Sequence, residues 1–249
     1  MWEYFVEKRL FIANIFELLA ALGGTYYLIK TKTQDIGLKL FVYNLWFILL
    51  IEIIGMYAAW NYFDGYKTFP GLKNSVFASN YWLFNSAKII FLTAFFNVFI
   101  RQITSFRLKK FLYGVTLFFI LSAIANYIYS DIFFKAFSSY TTISGSLILL
   151  FCIGSFYYEM LLSDRILYFY KNLPFYISIG AMVWHLSITP IFIYNRYLTM
   201  TNPEFVNFHI DYLRYANIFM YSCFAIGFLI CAPKVFLLTK IKNKFSYLR

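Results

Sequence analysis

The sequence predicts an all-α polytopic membrane protein, a bundle of seven transmembrane helices. Three observations carry this expectation. Of 249 residues, 61% are apolar and only 13% charged, with a mean hydropathy of +0.65. A soluble domain of that composition would expose large sticky patches. The apolar residues fall in runs of about 20, the length that spans ~30 Å of hydrocarbon at ~1.5 Å per residue. A β-barrel would show alternating segments of ~10 residues instead. The connections between runs are short, so residues 1–249 read as one bundle without a separate soluble domain.

Span 1, about Leu10–Ile29, aligns Asn14, Glu17, Ala21 and Gly24 at helical spacing. The stretch MWEYFVEKRLF before it is acidic and aromatic ahead of its first basic pair, with no clean small-residue cleavage site. The run therefore reads as a retained helix, not a signal peptide. Span 2, Leu40–Trp60, aligns Asn44, Glu52, Gly55 and Ala59. Span 3, Val76–Ile100, carries Asn85 and, one turn on, Lys88; span 4 is Phe111–Ser130. Span 5, Tyr140–Leu162, aligns Thr141, Gly145, Cys152, Ser155 and Glu159. Span 6, Leu173–Tyr194, opens with Pro174, aligns Ser178, Ala181 and His185, and is expected to kink at Pro190. Span 7, Tyr212–Leu237, aligns Asn217, Gly227 and Cys231. In lipid no hydrophobic force drives helices together, so small and polar stripes mark where they meet. Cys152, Cys223 and Cys231 all lie inside apolar runs and read as packing residues, not disulfides or a metal site.

Orientation follows from Lys and Arg. One end collects Lys30, Lys32, Lys39, Arg101, Arg107, Lys109, Lys110, Arg165, Lys171 and five basic residues from Lys234 to Arg249. The other end holds Lys8, Arg9, Lys67, Lys73, Lys135, Arg196 and Arg214, half as many. The N-terminus is thus expected outside and the C-terminal TKIKNKFSYLR in the cytoplasm. Trp60, Tyr62, Tyr81, Trp82, Tyr194, Tyr197, Tyr212 and Tyr215 form the matching outer aromatic belt. The net charge of +11 is read as basic loops facing anionic lipid, and nucleic acid is not an expected partner.

All five aspartates fall in loops or at span edges, whereas Glu17, Glu52, Lys88 and His185 lie well inside spans. Counted from the outer ends, they sit roughly 11, 12, 18 and 14 Å deep, in one layer with Asn85 facing the same way as Lys88. An ammonium at such depth costs at least ~2.5–3.5 kcal/mol unless partnered. Glu17 and Glu52 are its expected partners, with span 3 turned toward spans 1 and 2. Two readings follow. The layer is an outward-facing polar pocket for a small ligand, an ion or a proton. Otherwise it is a Lys–Glu pair that fixes helix register, with His185 satisfied by a backbone carbonyl. At the cytoplasmic interface Glu159 is expected to pair with Arg165 or Lys171, beside the interfacial YFYKNLPFY stretch.

There is no HExxH, GxSxG, Walker motif or His/Cys cluster, and no deep aspartate pair of the intramembrane aspartyl-protease kind. Span 7 has no lysine between Tyr212 and Ala232 to seat a retinal Schiff base. No enzymatic activity, metal or cofactor is expected. The ILLIEIIGMY stretch, the Asn-containing start of span 3, FYYEMLLSDRILYFYKNLPFYISIGAMVW and NIFMYSCFAIGFLICAPK together resemble a family of small bacterial seven-helix membrane proteins, often encoded beside two-component sensor kinases. The resemblance covers nearly the whole chain and implies an inner-membrane location and a role in signalling. Where that pattern carries a glutamate in mid-span 3, this chain carries Lys88.

The leading expectation is a receptor or sensor that binds a small ligand or proton from outside and moves a helix against a membrane or cytoplasmic partner. A channel or transporter subunit, or an accessory scaffold, is the alternative.

Overall fold

The computed structural model of the chain describes residues 11–194 and 203–233. Seven long helices account for most of them: α1 Phe11–Thr31, α2 Ile36–Phe63, α3 Tyr81–Gln102, α4 Phe106–Tyr129, α5 Ser139–Leu161, α6 Leu173–Tyr194 and α7 Pro203–Cys231. Each contains a segment long and apolar enough to cross a membrane, and no strand occurs among the described residues. The chain is a multi-pass helical membrane protein. The expected basic residues Lys8, Arg9, Arg196 and those from Lys234 onward lie outside the described residues, as does Tyr197.

Local signals set the helix ends. Asp35 starts α2 four residues before the expected Leu40, because its Oδ1 accepts from the Gly37 N–H (2.8 Å) and the Leu38 N–H (3.4 Å). Ser105 caps α4 in the same way, by accepting from the Leu108 N–H, so Arg107, Lys109 and Lys110 belong to the first turns of the helix. Ser138 caps α5 through the Thr141 N–H (3.2 Å). α3 starts later than expected, at Tyr81, because two single 3-10 turns, Pro70–Leu72 and Val76–Ala78, precede it. α7 starts well before Tyr212, at a proline suited to a first turn. α6 continues through Pro190 to Tyr194.

Six of the helices form a closed ring in the order α1, α2, α3, α5, α6, α7 and back to α1. α4 sits outside the ring against α3 and α5 and buries a single stripe, Leu112, Thr116, Phe119, Ala123 and Tyr127. Its opposite side, including Leu117, Phe118, Leu121 and Ile128, is exposed toward lipid. The ring closes where side chains are missing. A Cβ on Gly180 of α6 would come within 2.9 Å of the Met220 carbonyl oxygen on α7, and one on Gly145 of α5 would strike Leu92 of α3. The expected stripes are largely interior: Glu17, Ala21, Gly24, Gly55, Thr141, Cys152, Ser178, Ala181 and Gly227 are buried. Ala59 is exposed, outside its stripe.

The lower half of the ring is filled by aromatic rings. Phe41 of α2 meets Phe95 of α3 edge-on at 5.2 Å and Phe224 of α7 at 5.3 Å, and Phe228 closes the group at 6.3 Å. Offset and edge-to-face pairs of this kind add to the packing of their buried area. At this end of the bundle Asp35 lies 3.5 Å from Arg101 and accepts from the Gln102 amide at 3.1 Å. The opposite end carries the connection from Asp64 to Asn80 and the single helical turn Ile132–Lys135.

Candidate functional site

Above the phenylalanine plug the ring encloses a cavity of about 180 Å³. Five helices line it: α2 with Glu52, α3 with Lys88, α5 with Thr142, α6 with Trp184 and His185, and α7 with Asn217 and Tyr221. Phe84, Phe91 and Phe95 add apolar wall, and Phe95 belongs to the plug as well. Three of the sequence-predicted residues, Glu52, Lys88 and His185, thus face one space.

The expected ion pair is not there. Lys88 has no carboxylate within 4 Å among the described residues; its Nζ donates to Thr142 Oγ1 at 2.8 Å and lies over Phe192 (5.2 Å) and Phe137 (5.9 Å). The ring order explains this. α3 stands between α2 and α5, and its lysine reaches toward α5 and α6, away from α1. Thr142 uses its own hydroxyl hydrogen on the Ser138 carbonyl (2.9 Å), which leaves its oxygen free to accept from the ammonium. One of three ammonium hydrogens is therefore engaged.

Glu17 and Glu52 pair with each other instead. Their carboxyl groups lie within hydrogen-bond reach, and two carboxyls can hydrogen-bond only when one of them carries a proton. Asn14 Nδ2 donates to Glu52 Oε2 at 2.7 Å, and the Tyr221 hydroxyl reaches Glu17 Oε1 at 3.4 Å. Glu17 is buried behind Glu52, so Glu52 alone presents a carboxyl to the cavity.

His185 is satisfied by a side chain, not a carbonyl: its Nδ1 shares a 2.7 Å hydrogen bond with Ser146 Oγ. Trp184 Nε1 donates to Asn217 Oδ1 at 2.6 Å, which ties α6 to α7 at the cavity wall.

No family model, curated protein or solved structure matches this chain. The chemistry of the site rests on its own residues.

Asn85 does not share the cavity. Its amide donates to the Phe133 and Ala136 carbonyls (3.0 and 2.9 Å), and its Oδ1 accepts from the Ser138 N–H (3.1 Å). The Asn85 carbonyl accepts from the Tyr127 hydroxyl at 2.9 Å. It is a structural hub that ties α3 to α4 and to the entry of α5.

Glu159 has no ion-pair contact within 4 Å among the described residues, although the expected Arg165 is near enough to attract it. Its carboxylate accepts from the Thr104 N–H and hydroxyl and from the Ser105 N–H (3.0 Å), so it covers the free amides at the start of α4. Arg165 donates instead to the Gln102 carbonyl at 3.1 Å, and Lys171 lies over the Tyr168 and Tyr170 rings at 5.9 and 5.5 Å. Glu159 thus ties α5 to the α3–α4 corner, Arg165 ties the 3-10 segment Asp164–Lys171 to it, and Lys171 packs within that segment.

Sequence reasoning missed Thr142, Trp184, Tyr221 and Ser146. Tyr221 stands one turn after Asn217 and was within reach of the same stripe argument. Thr142, Trp184 and Ser146 adjoin polar or small residues that the stripes did include, but nothing in a single sequence says which flank of a helix faces the ring.

Proposed function

We propose that this chain is a receptor-like protein of a bacterial inner membrane that binds a small ligand in the ring cavity and signals by helix movement. The basic end, with Lys39, Arg101, Arg107, Lys109, Lys110 and Arg165, is the cytoplasmic one, and the cavity half faces outward. The observation that carries the reading is Lys88: an ammonium inside the helix ring, opening on a cavity, with a hydroxyl as its one hydrogen-bond partner among the described residues. Intramembrane charges left without a counter-ion are costly, and they mark functional sites by default.

The signal has a physical route. A ligand drawn between Lys88 on α3 and the walls of α5, α6 and α7 shifts α3, and Phe95 of α3 stands in the plug with Phe41 and Phe224. Packed interfaces repack in discrete steps instead of deforming smoothly, so movement at the cavity reaches the basic end through those rings. A membrane or cytoplasmic signalling partner would read it there. The same plug supports a receptor over an open pore, since it fills the ring below the cavity.

The test is a thermal-stability screen of the protein in lipid nanodiscs against a library of small polar metabolites, with Lys88→Ala in parallel. At least one compound is expected to stabilise the natural protein and not the variant. A screen without a single Lys88-dependent hit would sink the proposal.

A further inference from the structure

We infer that the ligand of this cavity is a small amphoteric molecule of the amino-acid type, its acid group on Lys88 and Thr142 and its amine on Glu52. The inference rests on the ligand-binding reading of the cavity and adds the chemical class. Its ground is the charge arrangement. The ammonium and the Glu52 carboxyl face the same space of about 180 Å³, yet they do not meet. Each is held back by a neighbour of its own: Lys88 by Thr142 (2.8 Å), Glu52 by Asn14 (2.7 Å) and by the Glu17 carboxyl.

Glu17 and Glu52 lie within hydrogen-bond reach of one another, so the acid side of the site is a carboxyl pair from α1 and α2, of which Glu52 faces the cavity. Lys88 faces it across the same space, so the walls are split into a basic pole on α3 and an acidic pole on α2. A simple anion would satisfy Lys88 and press its charge on Glu52. A simple amine would do the reverse. A molecule with both groups completes both poles and brings no net charge into the membrane interior, where an uncompensated ion is costly. Trp184 and Phe91 flank the space with ring surface suited to an ammonium or a short methylene stem. The volume lies below the range of drug-sized pockets, which restricts the ligand to a compact compound.

The experiment is calorimetric titration of the full-length protein in nanodiscs with glycine, β-alanine and γ-aminobutyrate, against acetate, propionate, methylamine and propylamine. At least one amino acid is expected to bind about tenfold or more tighter than the acid and the amine of like size. Lys88→Met is expected to abolish binding of the amino acid, as is Glu52→Gln. Should Lys88→Met fail to fold, Thr142→Val removes only the hydroxyl partner of the ammonium and is expected to weaken amino-acid binding by about tenfold. Acids that bind as well as amino acids would make the cavity an anion site, and amines that do so would make it a cation site. Either result overturns the amphoteric class while the ligand-binding reading survives. The same holds if no titrated probe binds but the metabolite screen yields a Lys88-dependent compound of other chemistry. Failure of both the titrations and the screen removes the class and the ligand-binding reading together.

Discussion

Asn85 and Lys88 stand one turn apart on α3 and do opposite work. Asn85 is completely buried with its amide groups engaged on three backbone partners, so its loss leaves buried carbonyls and an N–H unpaired. Asn85→Leu is expected to lower stability by ~1–3 kcal/mol per group left unsatisfied, read as a fall in melting temperature in detergent. Lys88 lies inside the ring with a hydroxyl and no carboxylate beside it among the described residues. Lys88→Met is expected to leave the ligand-free protein as stable as before or more so, since a long apolar side chain replaces an uncompensated ion. Equal destabilisation by both substitutions would mean that Lys88 is a structural residue like its neighbour. At the cavity end of the bundle, in the loop after α2, the Thr68 hydroxyl and then its amide hydrogen-bond to Asp64, and with Lys67 close by they hold the Asp64 carboxyl below its usual range. A carboxyl that ionises more readily in the folded loop stabilises it at neutral pH and ceases to do so as pH falls through its lowered value. The exchange protection of the Thr68 amide is therefore expected to be present at neutral pH and to fade in strong acid. Protection that does not change with acid would contradict this.

At the scale of the element, the start of α4 shows how a helix is fixed from outside. Ser105 supplies the local cap, and Glu159, from the far end of α5, covers the remaining donors at Thr104 and Ser105. Glu159→Ala is expected to cost ~0.5–2 kcal/mol, the usual worth of a cap, with faster hydrogen exchange confined to the first turn of α4. Glu159→Gln keeps one acceptor and is expected to fall between the two. If exchange at Thr104 and Ser105 is untouched, the carboxylate does not cap. α6 and α7 depend on a different device, the absence of a side chain at Gly180, where the Met220 carbonyl comes too close for a Cβ. Gly180→Leu would force those helices apart and is expected to abolish the folded monodisperse form in detergent.

At the scale of the whole molecule, the described residues form a ring of six long helices with a seventh outside, filled at one half by phenylalanines and holding a cavity in the other. Two expectations belong to this scale. A tag at the C-terminus should be protected from protease added to right-side-out vesicles, and one at the N-terminus should be cleaved; the reverse would invert the cavity. Purified protein in liposomes is expected to pass no ions, because a packed aromatic constriction excludes water. A conductance that Lys88→Ala alters would turn the reading toward the channel alternative.

The seven long apolar helices, their order along the chain and the placing of Glu17, Glu52, Lys88 and His185 within them were legible in the sequence. Length, hydropathy and a rise of ~1.5 Å per residue fix each of these along the helix axis. Rotation about that axis and the choice of neighbour were not legible, because a mostly apolar helix in lipid has no strong wet face to declare its inner side. Only the tertiary structure set α4 outside the ring, turned Asn85 to the α5 entry, matched Glu17 to Glu52, and left Lys88 across the cavity with Thr142 for company. Position along the chain placed the four side chains inside the helices; ring order decided which of them could touch.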